Sequence, residues 1–152
     1  MGIYVVPPTP LCWVFMGVVL GIFVFVSMLV VAPEVSARIV LENGKLCAKI
    51  FGPTAPSTCV SIDEIVRAEV VKELSDGLKP VLRVNGYGLP GFLWGWFKLS
   101  NGHQAFFAVS SAAKSKYLVL QLRNGDYIVI KCRDLPKLVA ELQSKGVSVE
   151  TK

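Results

Sequence analysis

The sequence predicts a mainly β domain closed by a C-terminal helix and carried on an N-terminal transmembrane helix. Three observations carry that prediction. Residues 11–32 read LCWVFMGVVLGIFVFVSMLVVA, without a single Asp, Glu, Lys or Arg. Beyond residue 35 the hydrophobic period becomes two, and Asn-Gly pairs recur at Asn43-Gly44, Asn101-Gly102 and Asn124-Gly125. An apolar spacing of three and four residues returns only after Asp134.

The leader, residues 1–10, is uncharged and holds Pro7, Pro8 and Pro10, which favour an extended chain with Thr9 and Pro10 placed to start a helix. The apolar run that follows would form a helix about 33 Å long, matching the ~30 Å hydrocarbon core of a bilayer. Trp13 lies near one end, where interfacial aromatics gather. Gly17 and Gly21 have the G-x-x-x-G spacing that lets membrane helices approach closely, so a homo-oligomer packed through them is an expectation. A cleaved signal peptide is the rival reading, with Val35-Ser36-Ala37 as its cleavage site. The n-region lacks any basic residue, the run exceeds the usual ~7–15 apolar residues, and Pro33, directly after Ala32, is a poor residue to follow a cut. An uncleaved anchor is therefore expected. Arg38, Lys45 and Lys49 follow the span, against only the α-amino group before it. The positive-inside bias then predicts a single-pass protein of the cell membrane with its domain in the cytoplasm.

All 16 Lys and Arg and all 11 Asp and Glu lie at or beyond Glu34, so the formal net charge of +5 belongs to the C-terminal part. No run of four basic residues occurs, and the charge reads as a mildly basic surface with no nucleic-acid partner expected. The cysteines are Cys12, Cys47, Cys59 and Cys132, with no C-x-x-C pair and His103 as the sole histidine. No metal or cofactor is expected from such a set. The three domain cysteines read as small apolar residues, while a disulfide among them stays open and its pairing undetermined.

The domain is expected over residues 35–146. In its first strand Ala37, Ile39 and Leu41 share one face, Asn43-Gly44 turns the chain, and Leu46, Ala48 and Ile50 return on the inner face with Lys45 and Lys49 outside. A strand ending near Phe51 then gives way to Gly52-Pro53-Thr54-Ala55-Pro56-Ser57, a loop by composition. Ser61-Ile62-Asp63-Glu64 suits a tight or single helical turn with Ile62 and Ile65 tucked inward, ahead of a strand with Val66, Ala68 and Val70 on one face. A helix over residues 61–74 competes, but the β-branched enrichment favours the strand. Ser75-Asp76-Gly77 reads as a turn and residues 80–84 as a short strand.

Residues 85–97 are Asn-Gly-Tyr-Gly-Leu-Pro-Gly-Phe-Leu-Trp-Gly-Trp-Phe. Gly86, Gly88 and Gly91 spell G-x-G-x-x-G, but Pro90 interrupts it and no βαβ pattern surrounds it, so dinucleotide binding is set aside. Two readings remain. One is an irregular crossover whose aromatics cap the core. The other is an exposed apolar loop whose Tyr87, Phe92, Trp94 and Trp96 meet a membrane interface or a partner's groove. Two more hairpins follow, at Asn101-Gly102 and at Asn124-Gly125, completing a mainly antiparallel meander. Between them residues 110–116 form a polar loop whose Lys114 and Lys116 are candidate anion contacts, or else merely solvated. His103 flanks a turn and reads as a surface residue. In the final helix Asp134 is the N-cap, Pro136 falls in the first turn, Leu135, Leu138, Val139 and Leu142 form the stripe, and Gly146 ends it. The tail, residues 147–152, is expected to be loose.

Gly86-Tyr87-Gly88-Leu89-Pro90-Gly91, then Gly95-Trp96-Phe97-Lys98-Leu99 and Asn101-Gly102, resemble the prokaryotic PH-domain family found on small membrane proteins. So do Asn124-Gly125-Asp126-Tyr127-Ile128-Val129-Ile130 and Asp134-Leu135-Pro136, and the likeness spans roughly residues 35–145. The resemblance implies a PH-like barrel of about seven antiparallel strands capped by one amphipathic helix, with no catalytic residues to carry over. The β1–β2 loop that binds phosphoinositides in eukaryotic relatives is here Glu42-Asn43-Gly44-Lys45 with one lysine, so that ligand is not inherited. The expected function is a non-enzymatic, membrane-anchored interaction module for a protein or peptide partner or the membrane surface. The alternative is an accessory subunit of a membrane complex, recruited through its span. An enzyme is disfavoured, because no Ser/His/Asp, Cys/His or paired-carboxylate arrangement stands out.

Overall fold

The computed structural model describes residues 2–50 and 56–152. Helix α1 (Pro10–Ser36) opens it, and its apolar part, Pro10–Val31, is long enough to cross a bilayer and has no part buried against the domain. Ten strands follow: β1 (Arg38–Glu42), β2 (Lys45–Lys49), β3 (Thr58–Ser61), β4 (Ile65–Val71), β5 (Pro80–Leu89), β6 (Phe92–Leu99), β7 (Gln104–Ser110), β8 (Tyr117–Leu122), β9 (Tyr127–Lys131) and β10 (Val149–Thr151). Helix α2 (Leu135–Ser144) lies between the last two. The return strand expected over residues 45–51 is β2; its expected last residue, Phe51, and most of the loop after it lie outside the described residues.

The strands form two open sheets rather than one closed seven-stranded barrel. The smaller has the order β1-β2-β3, and the larger β10-β4-β8-β9-β7-β6-β5. One core lies between them and α2, contributed by Leu46, Ala48 and Val60 of the small sheet, Phe106, Leu118 and Ile130 of the large one, and Leu135 and Leu142 of the helix. The other face of the large sheet carries a second cluster around Phe97, Leu99, Phe107 and Val129, covered in part by Leu74 and Leu78. The central strands β7, β8 and β9 are thus buried on both faces, which is why they read as nearly continuous apolar runs.

All three Asn-Gly turns stand as expected, with Gly44, Gly102 and Gly125 at positive φ. The meander, however, is not purely antiparallel. β9 inserts between β8 and β7 and runs parallel to β7, and β10 runs parallel to β4. Consequently the 111–116 connection must pass over the C-terminal end of β9 to reach β8. The tail is a strand rather than loose chain, and just beyond it the Lys152 backbone N–H donates a hydrogen bond to the Val70 carbonyl at 2.9 Å.

The strand reading of β4 holds, entered from a 3-10 turn at Ile62–Glu64. Its inner face differs by one residue: a bulge between Ile65 and Arg67 leaves Val66 unpaired and 62% exposed, while Ala68 and Val70 go inside. In α2 the expected stripe packs inward, but the Asp134 side chain makes no capping bond. Gly146 at φ +95° ends the helix in a Schellman arrangement, with its N–H on Gln143 and that of Val147 on Leu142, both at 3.1 Å.

Candidate functional site

Residues 85–97 are neither crossover nor loop. They are the arms of the β5–β6 hairpin, turned at Pro90-Gly91 with Gly91 at φ +78°. That is the Pro-then-positive-φ pattern of a type II turn, and the Pro-Gly dipeptide was its legible signal. Gly86 and Gly95 face each other across the strands at φ +135° and +126°, and a Cβ on either would collide with the opposite backbone. Of the G-x-G-x-x-G residues, Gly86 serves this close approach and Gly91 the turn.

The hairpin sends its aromatics inward. Phe92 and Trp94 are buried, and Trp94 donates its indole N–H to the Pro56 carbonyl at 2.8 Å. Trp94 and Trp96 both meet Phe106 edge-on, with centroids 5.7 and 5.5 Å apart. Trp96 and Tyr87 are half-buried against the same core. Of the four aromatics expected as contacts, Phe92, Trp94 and Trp96 occupy alternate positions of β6 that face the main core, and Tyr87 packs against it from β5. The exposed apolar side chains lie instead on β5, the edge of the large sheet, at Val81, Leu82 and Val84. These three residues lie in the short strand expected over residues 80–84; its continuation to Leu89 and its place at the sheet edge were missed while residues 85–97 read as a loop.

Lys114 and Lys116 stand in a different setting. The 111–116 connection is pinned where it crosses β9 by the Ser115 hydroxyl, which donates to the Cys132 carbonyl at 2.9 Å. This places both lysines beside Arg133 on a groove floored by Val70, Leu135 and Val139. Arg133 also borders a neighbouring cleft of about 610 Å³ with Arg38 and Lys131, floored by Ile39, Phe92 and Trp94. No Asp or Glu lines either depression, and none of the five cations makes an ion pair among the described residues. Lys131 rests over the Tyr117 ring at 4.8 Å. The sequence scatters these cations over residues 38–133, so only the crossing of the 111–116 connection reveals the group.

Cys47 and Cys59 oppose one another on β2 and β3 and form a disulfide. Cys132 is free, and burial pushes its thiol above the ordinary range, opposed by a backbone hydrogen bond from Asp134 and aided by the charge of that residue. Gly17 and Gly21 have no neighbour at their Cβ positions. His103 sits at its turn, its N–H on the Asn101 side chain at 2.9 Å and its ring against Tyr127. Among the described residues no three His, Cys, Asp or Glu converge as a metal-binding group.

No match is found among curated proteins or among solved structures. The sequence model of the family described as Bacterial PH domain matches residues 37–146, most of the chain and nearly all that follows the apolar helix. Two open sheets around a core closed by α2 agree with that match, and the chain belongs to the bacterial PH domain family.

Proposed function

We propose that this is a single-pass membrane protein presenting a PH-like interaction module close to the bilayer, with no catalysis of its own. The observation that carries this reading is continuity: α1 carries its bilayer-length apolar span to Val31 and ends at Ser36, and β1 begins at Arg38, leaving six residues between the span and the domain. A helix uncovered over its whole apolar length finds its burial in lipid or against another membrane helix. Two surfaces suit contact. The β5 edge, with Val81, Leu82 and Val84 exposed, suits an extended peptide adding as a strand. The basic end around Arg133 suits an anionic membrane surface.

For orientation, two features pull in opposite directions. Arg38, Lys45 and Lys49 favour a cytoplasmic domain, whereas the Cys47–Cys59 bridge favours an oxidising compartment. Charge acts during insertion, before a bridge can close, so we place the domain in the cytoplasm. The bridge then belongs with the disulfides that some thermophiles keep inside the cell. Protease treatment of sealed cells carrying a C-terminally tagged chain tests this. A protected tag on a full-length chain in the membrane fraction is expected. A digested tag, or a chain shortened by about 37 residues, overturns the orientation or the anchor respectively.

The second reading, an accessory subunit recruited through its span, draws on Gly17 and Gly21, which stay uncovered on α1.

A further inference from the structure

Five basic side chains far apart in sequence gather at one end of the domain, and that end is where the membrane helix joins. Arg38 is the first residue of β1, seven residues beyond Val31, the last of the apolar span. Helical rise over those residues puts it about 10 Å past the hydrocarbon boundary, at the outer surface of the headgroup layer, where a long arginine side chain reaches the phosphates. Arg38 shares one cleft with Lys131 and Arg133, and Arg133 shares the adjoining groove with Lys114 and Lys116. Arg38, Lys114 and Arg133 are exposed, and no carboxylate lines the clefts to neutralise them. Of the eleven basic residues elsewhere, four take acidic partners: Lys49 with Glu42, Arg67 with Glu69, Lys79 with Asp76 and Lys152 with Glu69. The floors are apolar, which suits a charged head attached to a greasy body.

We propose that this end of the domain is a docking face for anionic lipid headgroups, with Arg38, Lys114, Lys116, Lys131 and Arg133 meeting phosphate oxygens. The proposal rests on the reading of α1 as a membrane anchor. Its chemistry is that of a polybasic juxtamembrane segment assembled by folding rather than by sequence. The tether holds the domain at the surface, and the cations set which face it turns toward the lipid. The β1–β2 turn, with Lys45 alone, takes no part.

The test uses the full chain in nanodiscs of neutral phosphatidylcholine or of the same lipid with anionic phosphatidylglycerol, read by hydrogen exchange. Recovery of the chain with both kinds of disc reports the anchor by itself, and loss of the chain from both overturns the anchored reading. With the chain anchored, amides of residues 110–117 and 130–135 are expected to exchange several-fold more slowly in anionic discs, and 0.5 M salt is expected to abolish the difference. The triple variant Arg38→Gln, Lys114→Gln, Arg133→Gln is expected to lose most of that protection, since each basic residue near an anionic surface contributes roughly fivefold. Lys98→Gln, an exposed lysine on β6 outside both clefts, is expected to keep it. Equal exchange in the two discs, or equal loss in both variants, overturns the proposal. Full protection in neutral discs on adding millimolar inorganic phosphate also overturns it, assigning the site to a free anion.

Discussion

At the residue scale, the positions that stood out in the sequence do their work inside the fold. Gly86 and Gly95 permit two backbones to touch, and Trp94 fills the core while closing a hydrogen bond to Pro56. Gly95→Ala is expected to cost about 2–4 kcal/mol, because it combines a disfavoured positive φ with a backbone collision. Trp94→Ala is expected to cost about 3–5 kcal/mol through the cavity it leaves, whereas the half-buried Trp96 costs less. Chemical denaturation of the detergent-solubilised chain, followed by near-UV circular dichroism, checks both. A Trp94→Ala chain as stable as the parent would return that indole to the exposed-loop reading, one of the two its sequence allowed. The composition had marked these residues as unusual, but whether a tryptophan on a strand points in or out depends on register, and the hairpin was not recognised.

At the element scale, patterns of local origin came through and pairings between distant elements did not. The Asn-Gly hairpins, the 3-10 turn before β4 and the stripe of α2 each follow from a few adjacent residues. Val66 escaped the alternation because a bulge consumes one residue, a decision made by pairing with β8. The tail escaped because three residues carry too little pattern to announce a strand, and β4 supplies the template they need. Deleting residues 147–152 removes β10 together with Val147 and Val149, both half-buried against the main core. That truncation is expected to lower stability by about 2 kcal/mol in the same denaturation experiment. It also leaves the outer edge of β4 unpaired. An unchanged midpoint would mean that β10 contributes nothing to the fold.

At the scale of the whole molecule, the apolar span and the domain lie six residues apart along the chain. Replacing residues 11–32 with an unrelated apolar helix of equal length separates the two readings of function. If the domain is the interaction module, cross-linked partners recovered with the membrane fraction are expected to persist. Their loss would make the span the recognition surface and favour the accessory-subunit reading. The basic end belongs to this scale too, because it exists only once the 111–116 connection crosses β9 and brings Lys114 and Lys116 to Arg133.

By itself the sequence determined what short-range physics governs: a charge-free run of bilayer length, alternation of period two, turns that demand positive φ, and one amphipathic helix. Those sufficed for the class of fold and for the family resemblance. The tertiary structure alone decided the parallel insertion of β9, the Cys47–Cys59 pairing, the inward turn of Trp94 and the gathering of five cations along two adjoining clefts. Each of these joins residues distant along the chain. Local propensity carries no term for such contacts, which are fixed by burial and strand pairing across the whole domain.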